Sequence, residues 1–342
     1  MALGFVVVLV VCAGLYLRFH HRRGPVETAY VGSRQLTIWS SSAAVKEEVA
    51  TVNYGDRLEV LERAGDQAQV RTTSGVGGWV NGDDLLSEEF WQKAENLLAG
   101  VGRLPVEARG QTRVLSNLHL DPARDSPRVR QLTKGVPLEM FERRPVPVSQ
   151  SAAAAPTASA VPAVGDNETV ATTATAAPAK QEDWWLVRAK PMGDVPVAGW
   201  LLGRFVDLNV PSPLPDYATS AGVRIVAWFE LNRVADEKSG SMPQYLVVGA
   251  HGPEGQPCDF TMLRAYTWDG PQQRYETAFV ESDLCGELPV ELTPASKPGG
   301  DVGFTFEDWQ SGAGQRRGYR MTGTVIRRIR EGSAAPKHKH GR

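Results

Sequence analysis

Along most of this chain, apolar and polar residues alternate with a period of two, in short runs broken by turn residues. "RLEVLER", residues 57–63, puts Leu58 and Val60 on one face, the mark of a half-buried strand. "NYGD" just before it is a turn signal, "AQVRT" is the next strand, "SGVGG" is a tight turn, and "GWV" returns as a strand. From about Ala221 the same pattern gives seven more short strands: "VRIVAWFEL", "QYLVVGAHG", "FTMLRAYTWD", "RYETAFVE", "GELPVEL", "DVGFTFED" and "GYRMTGTVIRRI". "DEKSGSMP", "DGPQQ", "TPASKPGGD" and "SGAGQRRG" separate them as turns, with Asp269-Gly270 expected at a hairpin tip. Strands of this length and spacing predict a sandwich or barrel over 218–331.

Two segments break the alternation. "SEEFWQKAENLLAGVGRL", residues 87–104, has a helical period. Ser87 followed by glutamates is a helix-start signal, and Phe90, Ala94, Leu97 and Leu98 share one face. A short amphipathic helix is expected, a spacer packed on a neighbouring barrel. At the start of the chain, "MALGFVVVLVVCAGLYL" is apolar on every face and "RFHHRR" follows at once. Its length is at the short edge of the roughly 17–25 residues that span a bilayer. No basic segment precedes it, as one would in a secretory signal. Val11 also stands where a lipoprotein cleavage box needs a small residue before Cys12. An uncleaved membrane anchor over 1–23 is the expectation. The positive-inside rule reads "RFHHRR" as cytoplasmic, whereas the domains described next point outward.

The strand pattern occurs twice. Gly55 answers Gly135, "RLEVLE" answers "PLEMFE", "QAQVR" answers "WWLVR", "GGWV" answers "AGWL" and "DDLL" answers "FVDL", in the same order. Each copy must bury its core in the same way, so such a repeat speaks directly to fold. The second copy is interrupted by an Ala/Thr/Pro/Ser/Val-rich segment over 145–182 that has no large apolar residues to bury. It is expected to be a disordered loop, which costs little because closure entropy grows only with the logarithm of length.

Both copies resemble bacterial SH3-like domains. The first carries the pattern on Gly55, Leu61, Glu62, Val70, Arg71, Gly78 and Trp79. The second carries it on Gly135, Phe141, Glu142, Trp185, Val187, Arg188, Gly199 and Trp200. The first copy departs from it at Gln67 and Ala68, near where the family usually has a Trp. The resemblance covers about half the chain. It implies small antiparallel barrels at 28–86 and 108–210 and binding of peptidoglycan or an envelope protein; it does not imply catalysis. The fold class expected for the whole is all-β: two SH3-like barrels, a C-terminal antiparallel β domain, a transmembrane helix, one linker helix and a disordered tail at 332–342.

Composition and charge narrow the function. A formal net charge of -2 gives no reason to expect nucleic acid as a partner. Of the six histidines, His20 and His21 flank the anchor and His338 and His340 lie in the tail. Only His119 and His251 remain for a folded site, too few for a zinc amidase. Cys258 lacks a nucleophile motif, with His251 seven residues before it in a turn-rich segment. No cofactor or metal is expected. Trp79, Trp200, Trp184 and Trp185 are the candidate binding aromatics. Trp184 and Trp185 are adjacent and point to opposite faces, so one belongs in the core and the other is expected to be partly exposed. Cys258 and Cys285 would be bridged if the chain is exported, and would be reduced core residues if it is not.

The reading that results is a single-pass inner-membrane protein of bacteria, its domains in the periplasm, binding peptidoglycan or an envelope protein. The alternatives are a cytoplasm-facing membrane scaffold and a cell-wall hydrolase with its site in the last domain.

Overall fold

The computed structural model describes residues 27–148, 180–191, 195–296 and 300–329. The anchor expected at 1–23, most of the 145–182 insertion and the tail lie outside the described residues. No helix among the described residues is long and apolar enough to cross a membrane.

The described chain is mostly β. One sheet holds β1 (Glu27–Val31), β2 (Gln35–Trp39), β3 (Glu48–Asn53), β4 (Arg57–Ala64), β5 (Gln67–Thr72), β6 (Gly77–Asn81) and β7 (Leu85–Ser87). A second holds β8 (Ala108–Thr112), β9 (Ser116–His119), β10 (Arg128–Leu132), β11 (Pro137–Pro147), β12 (Gln181–Ala189), β13 (Val197–Leu202) and β14 (Val206–Leu208). The strand order of the first is β3-β2-β6-β5-β4-β1-β7, and of the second β10-β9-β13-β12-β11-β8-β14. Each number in the second is seven above its counterpart in the first. The repeat in the sequence is thus a repeat of one hydrogen-bonding plan. The first sheet supplies its own core, with Val31, Ile38, Leu58, Val70 and Val80 among the buried residues. A sheet that does this must curl around itself.

The glycines explain why both copies need the same motifs. Gly55 and Gly135 take φ of 84° and 83°, which a side chain would strain. A Cβ on Gly78 would lie 2.5 Å from the Trp39 carbonyl oxygen, and one on Gly199 would lie 2.7 Å from that of His119. These are the points where β6 meets β2 (Trp79 opposite Trp39) and β13 meets β9 (Trp200 opposite His119). The glycine of the Gly-Trp pair admits the neighbouring strand, and the tryptophan beside it faces the other way. The inward positions differ between copies. Ala68 and Val80 pair in the first where Trp185 and Leu201 pair in the second.

Helix α1 (Glu88–Val101) lies within the expected span. Ser87 Oγ accepts the Phe90 N–H at 3.2 Å, satisfying one of the free donors of the first turn. Ala94 is buried as expected, but the ring that seats the helix is Trp91. It stacks on Tyr30 with centroids 4.8 Å apart. It also comes so close to Gly55 that a Cβ there would lie 2.9 Å from the ring.

Two sequence boundaries need correction. β11 and β12 run into the expected loop, pairing Val146 with Glu182 and Pro147 with Gln181. Val148 N–H then donates to the Lys180 carbonyl at 2.8 Å. The insertion therefore leaves and re-enters at the end of one hairpin. The C-terminal module has eight strands rather than seven, in two four-stranded meanders. The first is β15 (Arg224–Asp236), β16 (Gly240–Ala250), β17 (Met262–Asp269) and β18 (Arg274–Glu281); the second is β19 (Gly286–Thr293), β20 (Val302–Asp308), β21 (Gln315–Thr322) and β22 (Val325–Ile329). "GYRMTGTVIRRI" is two strands because Gly323 turns the chain at φ 59°. In the β17–β18 hairpin the last pair is Asp269 with Arg274, and Gln273, not Gly270, takes the positive φ of 54°. The two meanders meet through aromatics: Phe279 of β18 lies 5.9 Å from Tyr319 of β21, and Phe260 lies 5.1 Å from Phe306.

The described residues divide into two compact units, one holding those up to Gly100 with Arg128–Gln131, the other Val101–Pro127 and those from Leu132 on. The second sheet, apart from Arg128–Gln131 of β10, and the C-terminal module thus belong to one unit. Gly78→Ala and Gly199→Ala are each expected to cost about 1–3 kcal/mol, the range for forcing atoms into a packed site. Gly100→Ala, in a helix with open space around it, should be neutral or slightly stabilising. Urea denaturation followed by tryptophan fluorescence separates these outcomes.

Candidate binding hollow on the C-terminal module

Strand alternation places Tyr245 and Val247 of β16, Arg264, Tyr266 and Trp268 of β17, and Tyr275 and Thr277 of β18 on one face of the β15–β18 meander. Helix α2 (Leu214–Ser220) lies on this face. Leu214 packs with Tyr245, Val247, Tyr266 and Tyr275, and Tyr217 stacks on Tyr266 at 5.7 Å. Sequence reasoning passed over α2. Its signals were a proline in the first turn and the apolar pair Leu214 and Ala218 four residues apart. Trp228 meets Tyr245 edge-on at 5.6 Å and Trp268 meets Tyr275 at 5.0 Å. Both indoles have acceptors: Trp228 Nε1 donates to the Asn209 carbonyl at 2.7 Å and Trp268 Nε1 to Asp236 Oδ1 at 2.8 Å. Burial pushes the Tyr245 and Tyr275 hydroxyls above their ordinary pKa, so both stay neutral.

The helix does not cover the whole face. Beside it is an open hollow of about 300 Å³, lined by Tyr217, Ser220, Arg264, Tyr266, Tyr275 and Thr277. Tyr266 and Tyr275 are buried and form the floor, Tyr217 is half-buried, and Ser220 and Thr277 stand exposed at the rim. The hollow can take a small polar ligand with an apolar side.

The four candidate tryptophans are not brought together. Trp79 is half-buried on the first sheet, next to Trp39, which carries Lys46 Nζ 4.8 Å from its ring centroid. Trp184, Trp185 and Trp200 are in the second sheet and only 2%, 6% and 5% exposed. The expectation that one of Trp184 and Trp185 is partly exposed fails because both faces of β12 are covered. Trp185 takes an inward position. Trp184, facing the other way, meets His119 edge-on at 5.5 Å. His119 Nδ1 lies 2.8 Å from the Ser126 carbonyl oxygen, and Arg124 Nε donates to Glu182 at 2.9 Å, tying residues 120–127 to this strand. The Arg124 hydrogen bond and the neighbouring Arg204 hold the Glu182 carboxyl below its usual range. Arg144 lies 4.6 Å over Trp200.

What seats the C-terminal module against the second sheet is Arg143 of β11, whose side chain is wholly buried. Nη2 donates to Asp183 Oδ1 at 2.6 Å and to the Gln256 carbonyl at 2.7 Å; Nη1 donates to Asp259 Oδ1 at 2.9 Å. Asp183 Oδ1 also accepts the Gly255 N–H at 2.9 Å, and Asp259 Oδ2 accepts that of Leu288 at 2.8 Å. Gly255 is needed there, since a Cβ would lie 2.3 Å from the Gln181 carbonyl oxygen. Cys258, next to Asp259, is disulfide-bonded to Cys285. Cys258 is therefore no thiolate nucleophile, and His251 Nδ1 lies 3.2 Å from the Gly222 carbonyl oxygen. Close by is Glu107, buried, with Oε2 lacking a hydrogen-bond partner. Burial first, then the charges of Asp259, Glu142 and Glu287, push its pKa up to about 9. Burial also raises the Asp259 carboxyl, opposed by the Leu288 N–H and by Arg143.

No group of three or more His, Cys, Asp or Glu side chains able to hold a metal occurs among the described residues. No family model matches the chain, and no curated protein matches it. Among solved structures, NlpC2 from Trichomonas vaginalis aligns over 89% of this chain and 97% of its own at 8% identity, with a TM-score of 0.17. A likeness that small carries no argument about fold or chemistry.

Two predictions follow from the buried charges. Arg143→Met removes the cation hydrogen-bonded to both Asp183 and Asp259, leaving Asp183 only Arg224 at 3.8 Å, and is expected to cost about 3–5 kcal/mol in urea denaturation. Glu107 acts in the other direction. Between its ordinary pKa of 4.5 and its folded value of about 9, the folded chain holds a proton that the unfolded chain has released. Its contribution therefore lowers stability as pH rises through that window. Glu107→Gln should raise the urea midpoint at pH 8 and leave it near wild type at pH 4.

Proposed function

We propose that this chain is a non-catalytic binding protein of the bacterial envelope, held in the inner membrane by residues 1–23, with two SH3-like domains and a C-terminal module that together engage peptidoglycan on the outer side of that membrane. The hollow beside α2 carries the reading: it is an open, hydroxyl-rimmed, aromatic-floored site on a module with no metal cluster among its described residues. The Cys258–Cys285 disulfide supports an oxidising compartment over the cytoplasm-facing alternative. It also argues against a cysteine hydrolase, because the bridged sulfur is not free to attack. The Trp39–Trp79 pair with Lys46 offers a second, smaller aromatic surface.

The test is co-sedimentation of the detergent-solubilised full chain with purified sacculi. Saturable retention in the pellet, without release of soluble wall fragments, is the expected result. A chain that stays in the supernatant at every sacculus concentration overturns the peptidoglycan reading, and fragment release overturns the non-catalytic one.

A further inference from the structure

The hollow contains a charge that the protein does not balance. Arg264 sits on β17 two residues before Tyr266 and lines the cavity. Its Nε is buried without a hydrogen-bond partner. No carboxylate among the described residues forms an ion pair with it, whereas other inward arginines of the same unit have partners: Arg317 has Glu281 and Asp308, Arg143 has Asp183 and Asp259. A guanidinium cannot discard its charge when water is withdrawn, and an uncompensated charge in a partly closed site is costly. The fold places that charge on the wall of an open hollow.

The surroundings narrow the ligand. The half-exposed ring of Tyr217 offers an apolar face, and the Ser220 and Thr277 hydroxyls stand at the rim. About 300 Å³ is at the small end of ligand sites, room for one ring rather than a polymer segment. We infer that the hollow binds a sugar ring bearing a carboxylate, with the carboxylate on Arg264, the C–H face of the ring against Tyr217, and the ring hydroxyls toward Ser220 and Thr277. This rests on the envelope-binding reading and names the chemistry of its site. One guanidinium fork matches the single charge and planar geometry of a carboxylate. A neutral sugar leaves Arg264 unpaired, and an apolar chain leaves the rim hydroxyls unpaired as well. Two envelope sources share the chemistry: the lactyl-bearing amino sugar of the wall where it carries no peptide, since a stem peptide ties that carboxyl up as a neutral amide, and the uronic acids of surface polysaccharides.

The experiment is a titration of the full chain in detergent with matched pairs: N-acetylmuramic acid against N-acetylglucosamine, and glucuronic acid against glucose. In at least one pair the acid is expected to bind roughly tenfold tighter or more than its neutral partner, with the advantage shrinking as salt rises. Advantage in the first pair assigns the wall sugar, and in the second the uronic acid. Arg264→Gln should erase the ratio, and Arg264→Lys should keep part of it. Equal binding of acid and neutral partners, or a ratio that survives Arg264→Gln, overturns the inference. If Arg264→Gln does not fold, the wild-type ratio and the Arg264→Lys variant decide it. Sacculus retention without any acid preference sinks this inference and leaves the envelope reading standing. Acid preference without sacculus retention does the reverse.

Discussion

A buried guanidinium fixes much of the second compact unit. Arg143 lies on a strand of the second repeat with no solvent contact, and its charge cannot be titrated away. It must therefore be surrounded by oxygen. The second sheet provides one carboxylate, Asp183; the other oxygens come from Gln256, Cys258 and Asp259 of the C-terminal module. That segment can reach the site only because Gly255 lets the chain pass against Gln181, and the disulfide at Cys258 ties it to Cys285. A second cation, Arg224, lies 3.8 Å from Asp183 Oδ2. Glu107 close by stays protonated, first because it is buried and then because of the charges of Asp259, Glu142 and Glu287. Pairing and backbone clearance are two results of placing one cation there.

The repeat was readable because its constraints act on the backbone. A turn that needs positive φ and a crossing that admits no Cβ can be met only by glycine, so Gly55, Gly78, Gly135 and Gly199 show in the sequence what the hydrogen-bonding plan demands. The strands of the C-terminal module were readable from their turns, but their division into two meanders was not, since a turn residue says where a strand stops and not which sheet it joins. Trp184 and Trp185 show the limit of alternation. A period of two assigns the faces of β12 correctly but cannot say that His119 meets Trp184 on the outer one. Arg143, Asp183 and Arg264 looked like ordinary polar residues in strands, because burial by a distant segment leaves no local pattern. Trp91 was missed for a related reason: its partners, Tyr30 and Gly55, belong to strands well before it in the chain.

The two repeats put one strand crossing to different uses. In the first, Trp39 and Trp79 meet across it and remain half-exposed, with Lys46 above. In the second, His119 and Trp200 meet at the equivalent place, and Trp200 is buried under Arg144. The same backbone thus presents an aromatic surface in one copy and closes it in the other. The second copy instead turns its polar residues toward the C-terminal module through Arg143 and Asp183.

The β11–β12 hairpin carries one more consequence. Its strands are paired out to Pro147 and Gln181, and Val148 is hydrogen-bonded to Lys180 where the insertion begins and ends. Covalent continuity across 149–179 is therefore not what keeps the second sheet together. The ladder and the Arg143–Asp183 pair lie on the near side of the insertion and already join the halves. A chain cut within the insertion would remain one particle made of two polypeptides, and the halves made as separate gene products could reassemble as a split protein.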